Sequence, residues 1–108
     1  MENVSINKEE MLKQRESLET QLLDVIKDIA ESECSVMQLI EKDGCVSSEQ
    51  IKDIMNNVDL AINMQEAIIN ICVLLNDQEY INKSSASLVL ENFKTLSKVL
   101  HIASGDLN

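Results

Sequence analysis

A chain of 108 residues with 44% hydrophobic content can enclose one apolar core and is too rich in aliphatics to be a disordered acidic tail. Its net charge of −10 and pI near 4.4 argue against nucleic acid and anionic membrane surfaces, both of which repel such a chain. There is no proline, glycine stands only at positions 44 and 105, and the aromatics are Tyr80 and Phe93, whereas sheets call for frequent turn residues and aromatic strands. The expected class is all-α, as a single helical domain over residues 1–108.

The first predicted helix covers about residues 7–43. Asn7 is placed to cap it, and Glu9 and Glu10 suit the positive end of the helix dipole. Met11, Leu18, Leu22, Val25, Ile29, Val36 and Leu39 follow three- and four-residue steps, with Arg15 and Ser32 in the same register. An adjacent seam of Leu23, Ile26, Ala30, Met37 and Ile40 widens the apolar face beyond a single coiled-coil stripe. Asp43-Gly44 is a stop signal, and Ser32-Glu33-Cys34-Ser35 is the stretch where the helix is weakest.

The second helix, about residues 48–77, opens with a Ser47/Gln50 capping box. It carries two apolar seams, one through Ile51, Met55, Val58, Ile62, Ile69 and Cys72, the other through Leu60, Met64, Ala67, Ile71 and Leu74. Only Asp59, Asn63, Glu66 and Asn70 form a polar strip, so this helix is expected at the centre. Gln65 falls in the first seam and looks misplaced unless its amide finds hydrogen-bond partners. Residues 76–83 read as a loop anchored by Tyr80. The third helix, about residues 84–104, carries Ala86, Val89, Phe93, Leu96, Leu100 and Ala103 on one face and stops at Ser104-Gly105.

Short connections favour an antiparallel up-down-up three-helix bundle, with the two long helices forming a protruding hairpin and the third, shorter helix covering only the lower half. On that arrangement the far end is bare. Met37, Ile40, Ile54 and Met55 would be exposed there beside Glu41, Asp43, Glu49 and Asp53, and these eight residues make the candidate partner-binding patch. Residues 1–82 hold 17 acids and 6 bases, a net of −11, and Asp24, Asp28 and Glu31 mark a second acidic stripe on the first helix.

No catalytic residues and no metal or other cofactor are expected. The sequence has no DxDxDG loop, ExxH pair or HExxH, and the acids lack the companions that would split their pKa values or complete a coordination shell. His101, with Lys94 and Lys98, is accounted for by the cationic end of its helix. Cys34, Cys45 and Cys72 have neither CxxC spacing nor an even count, which suits free thiols in the cytoplasm; Cys72 is expected inside and Cys45 outside. The N-terminal residues MENVSINKEEM show no apolar run of a signal peptide, and no apolar stretch is long enough to span a membrane.

These readings favour binding over chemistry, with an enzyme a distant fourth expectation. The first expectation is a non-catalytic inhibitor, immunity protein or antitoxin that occupies the basic site of a protein partner. The alternatives are a secretion or assembly chaperone or adaptor that holds an amphipathic segment, and a structural subunit that forms a homodimer through the hairpin tip.

Overall fold

The computed structural model describes residues 5–104, which form four helices and no strand: α1 (Lys8–Asp43), α2 (Ser48–Leu74), α3 (Gln78–Ser84) and α4 (Ala86–Ser104). The stop signal expected at Gly105 lies outside the described residues. The molecule is a slab of 60 × 28 × 21 Å, its long axis set by the 36 residues of α1.

The local signals in α1 and α2 are realised atom by atom. Asn7 accepts a hydrogen bond from the Glu10 N–H at 3.1 Å, and Gly44, at φ 75°, ends α1 with its N–H donating to the Ile40 carbonyl at 2.8 Å. The weak stretch at Ser32–Ser35 remains helical. The Ser35 hydroxyl donates to the Glu31 carbonyl at 3.1 Å, so it bonds to its own helix instead of opening it. Ser47 and Gln50 exchange both bonds of the capping box at the start of α2.

The other end of α2 departs from expectation. The helix finishes at Leu74, and Asn76 adopts φ 55°; its N–H donates to Val73 and that of Asp77 to Cys72, closing a Schellman motif with asparagine in the left-handed position. Asp77 then caps α3 at once, accepting from the Tyr80 N–H at 3.1 Å. Glu79 and Lys83 pair at 2.8 Å one turn apart within α3. The stretch predicted as a loop is therefore a helix, and the count of three helices becomes four.

That short helix moves α4. Its seven residues rise about 10 Å, the same distance as the seven steps from Cys72 back to Gln65 along α2. The Ala86 carbonyl accepts from Gln65 Nε2 at 3.2 Å, and Ser97 Oγ donates to Asp59 at 3.0 Å, so α4 runs antiparallel to α2 from that level upward. It covers the half of α2 that was expected to be bare. Ile54 is 2% exposed, Met55 6% and Val58 0%, which withdraws Ile54 and Met55 from the proposed docking patch and places them in the core. Leu22, Val25 and Ile29 of α1 and Leu100 of α4 complete the same cluster. Met37 and Ile40 stay exposed at 61% and 48%.

Helix α2 packs against each of the other three with Asp59, Asn63, Glu66 and Asn70 outward, but it buries Ile54, Ala61 and Ile68, which lie in neither predicted seam, and leaves Leu60 and Leu74 of the second seam exposed. No Cα of α1 comes within 8 Å of one in α4. The two outer helices stand apart over the central one.

Candidate functional site

Two surface features lie between the helices, one acidic and one apolar. Across an open cleft of about 620 Å³, Asp28, Glu31, Ser32 and Ser35 of α1 face Asp53, Asn56 and Asn57 of α2. Three carboxylates line it and no cation does. Among the described residues, none of Asp28, Glu31 and Asp53 is within 4.0 Å of a basic group. All three are exposed. What the cleft supplies is a local negative potential that draws cationic groups.

This changes the composition of the predicted patch. Asp53 joins Asp28 and Glu31, which the sequence had placed on a separate stripe, because the antiparallel register of α1 on α2 brings them level. Glu41, Asp43 and Glu49 are exposed around the turn between α1 and α2 but do not line the cleft. Cys34 and Cys45 are exposed and Cys72 is buried.

The apolar feature is a groove of about 220 Å³ in the gap between the outer helices. Glu19, Leu22, Leu23 and Ile26 of α1 form one wall, Tyr80 and Ser84 of α3 and Val89 of α4 the other, and Gln65 and Ile68 of α2 the floor. Gln65 is only 5% exposed, and its amide donates to the Ala86 carbonyl, so the residue that looked misplaced pins the start of α4. Its carbonyl oxygen has no partner among the described residues and is not sealed from solvent.

At the lower end of the groove Arg15 holds α3 in place. Its Nη1 donates to Asp77 Oδ2 at 2.9 Å and to Cys72 Sγ at 3.5 Å, and its guanidinium carbon lies 4.1 Å from the centre of the Tyr80 ring. Burial pulls the Arg15 pKa down, but the hydrogen bonds to Asp77 and Cys72 outweigh it and leave it raised. The same Arg15 bond, joined by the Tyr80 N–H, holds the Asp77 carboxyl below the ordinary carboxylate range. Sequence reasoning saw Arg15 only as a polar interruption of the apolar register; besides Glu19, one turn away at 3.7 Å, its partners are 57 to 65 residues away.

Burial, with the carboxylate of Glu19 beside it, pushes the Tyr80 phenol up to about 12. Tyr80 is the one tyrosine in the sequence, so the absorbance of tyrosinate reports it alone. An alkaline titration should show a midpoint near 12, and Glu19→Gln should bring it lower. A midpoint at the ordinary value near 10 would show that Tyr80 is not held against the α1 wall.

Among the described residues no three His, Cys, Asp or Glu side chains gather as a metal site, and no helix is long and apolar enough to cross a membrane. No protein-family model, curated protein or solved structure matches this chain.

Proposed function

We propose that this chain is a small, acidic, non-catalytic binding protein that neutralises a basic protein partner, in the manner of an inhibitor, immunity protein or antitoxin. The observation that supports this reading is the cleft lined by Asp28, Glu31 and Asp53 with no cation in its wall. Such a surface accelerates encounter with a basic partner and selects against acidic ones. Two exposed thiols, Cys34 and Cys45, fit a reducing compartment, so the proposed setting is the cytoplasm.

A second reading, a chaperone or adaptor for an amphipathic segment, draws on the apolar groove between α1 and α3–α4. Capture from a lysate separates the two. On the first reading, immobilised chain should retain a basic protein that is lost from the Asp28→Asn, Glu31→Gln, Asp53→Asn triple variant and is released as salt rises. Retention of the same proteins by both chains, insensitive to salt, would remove the acidic reading.

A further inference from the structure

The geometry points to the groove between α1 and α3–α4 as the docking site for a basic amphipathic helix of a protein partner, which deepens the protein-binding reading by naming its surface and the form of its ligand. The groove holds about 220 Å³, below the range of a small-molecule pocket and enough for one or two side chains. That is the size of an anchor pocket for a helix laid across it. Its apolar wall is open to solvent, since Leu23 is 67% exposed. From there the exposed residues Leu23, Ala30, Met37 and Ile40 continue along one side of α1, a track of about 25 Å that a helix of about five turns would follow.

The polar groups fix the chemistry of the occupant. Gln65 commits one amide N–H to Ala86 and leaves the second N–H and its carbonyl oxygen without a partner among the described residues. Ser84 commits its hydroxyl proton to the Tyr80 carbonyl at 2.7 Å. Glu19 at the wall is already paired with Arg15 Nε at 3.7 Å, so the open negative charge beside the track is Glu33, between Ala30 and Met37. What remains open is the amide edge of Gln65 in the groove and the Glu33 carboxylate on the track, and on a chain of net charge −10 the matching side chains are lysine or arginine beside apolar anchors. A second copy of this chain is the poorer match, because it brings a net charge of −10 against −10.

The test uses the full chain and a synthetic helical peptide of about five turns, with leucines at three- and four-residue steps and lysines elsewhere, and a counterpart with glutamates in place of the lysines. Backbone amide shifts should move at residues 19–26, 65–68 and 84–89. The glutamate peptide should bind at least about tenfold more weakly, and Leu23→Glu, at an exposed position that leaves folding intact, should weaken the lysine peptide by a similar factor.

Shifts confined to the Asp28–Asp53 cleft would overturn the groove site while leaving the acidic reading in place. Equal binding of the two peptides, or no shift at peptide concentrations of about 1 mM, would also overturn it. So would a dimer that Leu23→Glu dissociates, since a second copy would then fill the groove. Groove binding of the lysine peptide, combined with salt-insensitive capture from the lysate, would uphold the site and remove the acidic-cleft reading instead.

Discussion

Replacing Ile54 with alanine is expected to lower the free energy of unfolding by about 2–5 kcal/mol, whereas Met37→Ala should change it by no more than about 0.5 kcal/mol. Both are aliphatic side chains near the same end of the α1–α2 hairpin, and the sequence placed both in one exposed patch. They differ in their cover. Ile54 is 2% exposed and belongs to the cluster with Met55, Val58 and Leu100, so truncation leaves a cavity that the neighbours fill only in part. Met37 is 61% exposed and gives up little buried area. Urea denaturation measures both, and an unchanged slope would confine the effect to stability. Equal, small losses at the two positions would mean that α4 does not cover the upper half of α2.

Arg15→Met should free α3 while leaving the α1–α2 pair folded. Methionine keeps an apolar stem against Tyr80 but loses the bonds to Asp77 and Cys72, so the α3 amides should exchange on the order of tenfold faster than in the parent, with those of central α2 little changed. The same substitution should alter the response to acid. Asp77 is held below the ordinary carboxylate range, chiefly by Arg15, so the folded chain binds fewer protons than the unfolded chain at pH values between the lowered and ordinary pKa. Its contribution to stability is complete above that window and is lost as pH falls through it. Thermal melts taken from about pH 6 down to about pH 2 should therefore fall less steeply for Arg15→Met. An identical pH profile, or unchanged α3 exchange, would show that Arg15 does not hold the helix.

Local signals were legible in the sequence because each is complete within a few residues. Asn7, Gly44 and the Ser47/Gln50 pair name the ends of α1 and the start of α2 without reference to anything distant. The central place of α2 was legible in its apolar breadth, but its seams were not: Leu60 and Leu74 of the second seam are exposed, and Ile54, Ala61 and Ile68, in neither seam, are buried. What escaped was the Asn76-Asp77 signal as a whole. Asparagine ends one helix and aspartate begins the next with no residue between them, and read as a run of polar residues the pair looks like a loop.

That single omission spread to the candidate site. Without α3, a helix starting near residue 84 would lie beside the bottom of α2 and leave the top bare. With α3 in place, Ile54 and Met55 are enclosed and the open apolar surface shifts to Leu23 and its neighbours. The cleft was missed for a different reason. Asp28, Glu31 and Asp53 come together only through the register of two long helices, which depends on tertiary packing and not on any short motif.

The seven residues of α3 act as a gauge block for the outer layer of the fold. A redesign one turn shorter would set α4 about 5 Å lower along α2, stripping cover from Ile54 and narrowing the gap where Gln65 now shows its oxygen; one turn longer would do the reverse. The span of this small connector thus governs which stretch of the central helix is roofed and which is left to the outside world.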